Sequence, residues 1–336
     1  MAAFSNPFKS LRSQAARREA IAAYIFLSPY LLVTLIFTVG VFGFAIYISF
    51  TDYNLFTAPE WVGLKHYRSL FSDQKFIRSL VNAFYYAMIV VPIQTTLAIL
   101  LAVALNAPMR AKQFFRTIFY APSVTSSVVI SFIFWWLYLR TGYINFAFTK
   151  VWEFFGAEWT MINWLNDPRG LFQLILAPFG VDIPSARWYL RGPSITWMAI
   201  MAQNIFTTVP TFMIMFLAAL QDIPPTMYEA ASIDGANKRQ QFFKVTLPML
   251  RPVILLVVVL GTIGTWQIFD QVAILTAGGP LDTTLTPVYL IYTEALGVSG
   301  PSRMGYAASR AFVLGLIILF FTVVQRRFIE QGTERD

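Results

Sequence analysis

The sequence has no cysteine and only one histidine, His66, in 336 residues. Disulfides, zinc–thiolate sites and thiol nucleophiles are therefore excluded. No phosphate-binding loop of the Gly-x-x-x-x-Gly-Lys-Ser/Thr type occurs, and no metal-ligand cluster or nucleophile motif stands out. A lone histidine beside Lys65 in a loop is expected at the surface. Charge is scarce too: Asp, Glu, Lys and Arg make up 12% of the chain, against about 25% in soluble domains. These absences argue against an enzyme with a catalytic site or cofactor of its own.

What is present is apolar length. Hydrophobic residues make up 57% of the chain, and the mean hydropathy is +0.60. A core cannot hide that much apolar surface, so lipid is expected to solvate much of it. Six stretches are long enough to span a bilayer, near 21–50, 80–105, 118–139, 195–220, 253–275 and 308–324. Pro29, Pro92, Pro122 and Pro210 fall in or near them and are expected to make local kinks. The first stretch follows Lys9, Arg12, Arg17 and Arg18 but is too long for a signal-peptide core, so it reads as an uncleaved anchor.

A net charge of +8 would raise the question of nucleic acid in a soluble protein. Here the basic residues collect at the ends of apolar runs, and no nucleic-acid partner is expected. The N-terminal tail is basic, as are the segments with Arg110, Lys112 and Arg116, with Lys238, Arg239, Lys244 and Arg251, and with Arg326 and Arg327. With six spans these segments share one side, which the positive-inside rule makes cytoplasmic. The expectation is an all-α, multi-pass protein of the cytoplasmic (inner) membrane, with both termini inside and lipid as a partner. It divides into a basic N-terminal segment 1–20, a six-helix domain 21–328 and a tail 329–336. Residues 4–19 suit a helix lying on anionic lipid, or a contact with a partner protein. The outer loop 140–193 is long and aromatic.

The fourth loop, 222–252, carries the most information. Pro224 and Pro225 suit a helix start, where a missing N–H costs nothing. Gly235 suits the left-handed residue that ends a helix. A second helix is expected to about Val245, stopping before Pro248. Ala230 and Ala231 form a surface that another protein can approach closely, and Met227, Ile233, Phe242 and Phe243 supply apolar anchors. An amphipathic loop resting on the membrane fits the same pattern.

This loop resembles the EAA signature of ABC importer permeases. Glu229-Ala230-Ala231 is followed by Gly235 and then by Val245, Leu247 and Pro248 at matching spacing, with Val245 in place of isoleucine. Four other segments are similar to sugar permeases of the maltose-type family: Trp61-Val62-Gly63-Leu64-Lys65-His66-Tyr67, Phe114-Phe115-Arg116-Thr117, Leu275-Thr276-Ala277-Gly278-Gly279-Pro280 and Gly305-Tyr306-Ala307-Ala308. Residues 162–168 also look family-like, whereas 169–193 looks like an insertion.

The resemblance implies the type I ABC importer permease fold and alternating access. It implies a second homologous permease in a heterodimer, two cytoplasmic ATPase subunits that bind ATP and magnesium, and an extracytoplasmic substrate-binding protein. It implies that Glu229, Ala230, Ala231, Asp234, Gly235, Leu247 and Pro248 couple the chain to the ATPase. Disaccharides, malto-oligosaccharides and glycerol phosphate derivatives all use permeases of this pattern. An ion-coupled secondary transporter would instead need acids or broken helices at mid-membrane.

Polar residues inside the spans are candidate substrate contacts. Gln203, Asn204 and Thr207 lie in the fourth, and Trp266, Gln267 and Asp270 near the outer end of the fifth. Amides, a carboxylate and an aromatic face suit a sugar, although interhelical hydrogen bonding explains such groups as well. The candidate cavity residues include no evident basic group for an anionic solute.

Overall fold

A computed structural model describes residues 14–108, 110–181, 183–298 and 300–330. The expected basic segment therefore lies outside the described residues up to position 13. From Gln14 the chain is already helical. Helix α1 (Gln14–Val33) runs through a wide turn (Thr34–Gly40) into α2 (Val41–Ser49). This first span stands clear of the rest until α2 meets the last helix, where Phe42 and Phe312 rings lie 5.6 Å apart.

A two-stranded hairpin follows, β1 (Thr51–Asp52) antiparallel to β2 (Glu60–Trp61), and then the short α3 (Lys65–Leu70). His66 is not the surface residue its loop setting suggests. It is 6% exposed and its Nε2 lies 3.0 Å from the Thr51 carbonyl. A histidine buries readily when one ring nitrogen finds a partner.

Helix α4 (Gln74–Asn106) is the second span. Asp73 caps it, accepting from the Lys75 and Phe76 N–H groups at 3.1 Å each. The third apolar stretch is not one helix. It folds as α5 (Lys112–Val124) and α6 (Ser127–Leu137), bent by 95°. Pro122 brings no N–H, and the Ser123 and Thr125 hydroxyls bond back to the Tyr120 and Ala121 carbonyls, so the helix ends at Thr125. The outer loop holds α7 (Tyr143–Phe154) and α8 (Leu171–Leu176).

Helix α9 (Ile195–Gln221) is the fourth span, with Pro210 inside a continuous helix. The loop helices α10 (Pro225–Ile233), α11 (Lys238–Gln241) and α12 (Leu247–Met249) lead into α13 (Arg251–Trp266). The fifth span then breaks and resumes as α14 (Asp270–Leu275). Helix α15 (Pro287–Ala295) precedes the last span, α16 (Met304–Glu330). Among the described residues, five helices are long and apolar enough to cross a membrane, and the bent pair makes a sixth when counted as one span.

The interior forms where α4, α9 and α13 meet. Ala98 and Ala102 of α4 allow close approach, and Met213, Phe216, Leu250 and Val257 fill the space around them. A second cluster towards the outer side joins Tyr86, Trp197, Ile268 and Val272.

Candidate functional site

The loop after α9 is a braced pair of arms. Pro224 and Pro225 open α10, and Gly235 closes it at φ +77°, a conformation that disfavours any Cβ. Behind it the Ala236 N–H reaches the Ala231 carbonyl at 2.9 Å. Asn237 and Gln240 then cap α11 reciprocally, at 2.8 and 2.9 Å.

The second arm does not stop before Pro248. Between Phe242 and Thr246 the helix widens to a π turn, and the Leu247 N–H bonds to the Phe242 carbonyl. That extra residue accommodates a proline with no N–H to donate, and the path continues into α13. Two contacts tie the arms together. The Tyr228 and Thr246 hydroxyls are 3.0 Å apart, and Gln241 Nε2 donates to Ser232 Oγ at 2.8 Å.

Glu229, Ala230, Asp234 and Gly235 are exposed on the first arm, and Ala231, Leu247 and Pro248 are half-buried. Of the four expected apolar anchors only Phe242 packs on the core. Met227, Ile233 and Phe243 are 45%, 87% and 54% exposed. An open groove of about 950 Å³ separates α10 from the ends of α4 and α9, lined by Asn106, Leu220, Tyr228, Glu229 and Phe242 among others.

The polar residues of the fourth and fifth spans divide into two kinds. Gln203 is fully buried and donates from Nε2 to Ser131 Oγ at 2.9 Å, which fastens α9 to α6. Trp266 is 3% exposed and stacks on Phe321 at 5.3 Å, so its ring belongs to the interior and not to a cavity wall. Asn204 and Thr207 are half-buried, and the Thr207 hydroxyl donates to the Asn204 carbonyl at 2.9 Å. Gln267 and Asp270 are exposed and flank the break in the fifth span. There the Ile268 carbonyl accepts from the Thr286 hydroxyl at 3.2 Å. A helix interrupted in lipid needs such outside partners, and interruptions favour places where backbone meets a water-filled path.

Two polar features escape the sequence reading. Gln94 is 1% exposed in the middle of α4, and its Oε1 accepts from Thr208 Oγ1 at 2.8 Å. Gly261 of α13 makes room for it: a Cβ there would come within 2.5 Å of Gln94 Nε2. An amide isolated in an apolar run was the available signal.

The other is Arg310, 3% exposed near the outer end of α16. It is paired with Asp73 at the cap of α4 and with Glu294 at the end of α15, while Tyr306 Oη donates to Asp73 Oδ2 at 2.8 Å. Burial pushes the Asp73 carboxyl up. The hydrogen bonds from Arg310, the Phe76 N–H and Tyr306 outweigh it and hold the group below the usual carboxylate range. This knot edges an outer cavity of about 580 Å³.

Residues 94–331 match the family described as binding-protein-dependent transport system inner membrane component. A probable ABC transporter permease protein, YesP of Bacillus subtilis (strain 168), is 34% identical over 316 residues, covering 93% of this chain and 92% of that protein. AmyD of Thermoanaerobacterium thermosulfurigenes, a probable starch degradation products transport system permease protein, is 28% identical over 308 residues, covering 92% and 94%. Among solved structures, a chain of a bacterial alginate ABC transporter in complex with an alginate pentasaccharide-bound periplasmic protein superposes with a TM-score of 0.73. It is 20% identical and covers 98% of this chain and 99% of that one. The fold is that of ABC importer permeases, and the chain belongs to the binding-protein-dependent transport system inner membrane component family, as a multi-pass permease subunit of an ABC transporter.

Proposed function

We infer that the chain imports a sugar by alternating access, as one half of a permease heterodimer powered by two separate ATPase subunits. An extracytoplasmic binding protein delivers the sugar, and ATP and magnesium are bound by the ATPases. AmyD, named for starch degradation products, supports the sugar class.

The observation that carries the coupling role is the loop geometry. A short helix exposes Glu229, Ala230 and an 87%-exposed Ile233, while both of its arms are braced and run directly into spans. An exposed apolar residue on a rigid arm suits docking into a partner. The small alanines allow it to seat, and Glu229 offers a carboxylate to a basic group in the cleft. Gly235, Leu247 and Pro248 set the joint, and Asp234 stands beside it.

On the path, Asn204, Thr207, Gln267 and Asp270 are the groups that reach a solute, with Gln203 and Trp266 holding the helices that carry them. Ala230→Glu in the purified complex should abolish substrate-stimulated ATP hydrolysis while the subunits still co-purify. Normal stimulation would sink the coupling assignment.

A further inference from the structure

The segments 61–67 and 305–308 meet at the outer end of the molecule and clamp the hairpin of β1 and β2 between them. Gly305 N–H donates to the Tyr53 carbonyl at 3.0 Å, and Val62 N–H to the Phe50 carbonyl at 2.9 Å. A Cβ at 305 would overlap the Thr51 carbonyl oxygen, so glycine is what lets α16 start this close to β1. Trp61 stacks on Phe50 at 5.7 Å, and the His66 and Tyr306 rings lie 5.5 Å apart. Tyr306 in turn bonds to Asp73 of the Arg310 knot. The hairpin is thus welded to the last span, on the side opposite the basic segments, which is the outer one.

The hairpin tip is fixed as firmly as its base. Asn54 Oδ1 accepts from the Phe56 N–H at 3.1 Å, the Thr57 N–H at 2.9 Å and the Thr57 hydroxyl at 2.8 Å. That turn holds Leu55 at φ +70°, which a leucine adopts only when its surroundings enforce it. Phe56 therefore stands 88% exposed on a rigid tip, and Leu55, Trp61 and Leu64 are exposed as well. At the foot of the hairpin an open groove of about 470 Å³ starts at Val62 and is lined by Leu64, Lys65, Arg68 and Ser69. Lys65 and Arg68 are exposed, and neither has a carboxylate partner among the described residues.

An aromatic side chain held out on a pre-ordered tip loses little freedom when it docks, which makes it an efficient anchor. The charges around it decide between lipid and protein as its partner. Asp52 and Glu60 pair across the hairpin below the tip, and both are exposed. Carboxylates so near the tip resist entry among acyl chains. Apolar anchors inside a charged rim are the anatomy of a protein interface. The unpaired Lys65 and Arg68 call for acidic side chains on the other surface. We propose that this hairpin is a seat for the extracytoplasmic binding protein: Phe56 enters an apolar pocket on that protein, and Lys65 and Arg68 meet carboxylates beside the pocket. This inference rests on the binding-protein part of the import reading above.

The test uses the assembled complex in lipid nanodiscs and the purified extracytoplasmic binding protein of its transport system. With a photoreactive benzoylphenylalanine in place of Phe56, illumination should join the permease to the binding protein. Adducts confined to lipid or to the second permease would overturn the proposal. Phe56→Ser should raise the concentration of binding protein that half-saturates ATP hydrolysis at least tenfold, and Phe56→Leu should restore most of the loss. Lys65→Gln with Arg68→Gln should flatten the salt dependence of that concentration. Phe154→Ser, at a site 85% exposed on α7, is the control and should leave it unchanged. If Phe56→Ser half-saturates where the wild type does, or Phe154→Ser shifts as far, this inference falls and the import reading stands. If the binding protein docks through Phe56 but carries no sugar, the sugar reading falls and this one stands. If no binding protein stimulates hydrolysis in the wild type, both fall.

Discussion

Tyr228 and Thr246, eighteen residues apart, share a hydroxyl–hydroxyl hydrogen bond of 3.0 Å that closes the two arms of the loop into one body. In the coupling role proposed above, a push on α10 would pass to α13 through that body and through the half-buried turn at Leu247 and Pro248. Tyr228→Phe keeps the ring and removes the bond, at a cost of about 1 kcal/mol. Amide exchange in 225–241 should quicken, and the ATP hydrolysed per solute imported should rise. Unchanged exchange would show that Gln241 and Ser232 suffice as a brace.

The Asp73–Arg310–Glu294 knot makes a prediction in pH. Asp73 titrates below its ordinary value of 3.8 because Arg310, the Phe76 N–H and Tyr306 favour the carboxylate. A depressed folded-state pKa means that its stabilisation is complete above the unfolded-state value and fades as pH falls through the folded one. Thermal stability of the purified complex should therefore lose an acid-sensitive component below about pH 4 in Asp73→Asn. At neutral pH that variant should cost about 1–3 kcal/mol, because Glu294 still faces Arg310. Adding Glu294→Gln strips the buried guanidinium of both partners and should cost about 3–5 kcal/mol. A flat difference between wild type and Asp73→Asn across pH 3–7 would show that the carboxylate contributes no ionic stabilisation.

Much of the architecture is written in hydropathy, because lipid forces backbone polar groups to be satisfied within each span. The spans at 80–105 and 195–220 appear as α4 and α9, extended by a few capped or interfacial residues. The left-handed joint at Gly235 was equally legible, since its spacing after Glu229 and the missing Cβ point to the same turn. What hydropathy cannot show is direction. It reads 118–139 as one rod, whereas Ser and Thr hydroxyls competing for carbonyls beside Pro122 turn the chain by 95°. Nor can it distinguish a polar group facing a path from one facing a neighbour. Gln203 and Gln267 look alike in sequence, yet one is sealed against Ser131 and the other opens beside a helix break. Arg310 is a single basic residue in an apolar run, and its partners are more than 230 positions away at Asp73 and sixteen away at Glu294.

Gly261 and Gln94 give the sharpest packing test. A methyl at 261 would lie 2.5 Å from Gln94 Nε2, closer than packed atoms tolerate, and the nearest relief is to swing the amide at the end of that side chain. That movement breaks the bond from Thr208, which links α9 to α4. Interhelical hydrogen bonds in membranes contribute about 0.6 kcal/mol on average and about 1.7 at most, and overpacking adds about 1–3. Gly261→Ala should therefore destabilise the complex by about 2–4 kcal/mol in total. Gln94→Ala removes the opposing amide, so the double variant should recover the overpacking part while the hydrogen bond stays lost. A double-mutant cycle on thermal unfolding then yields a coupling of about 2–4 kcal/mol, the overpacking and the shared hydrogen bond together. Strictly additive losses would mean that α13 shifts to admit the methyl, and that Gly261 does not set the spacing between α4 and α13.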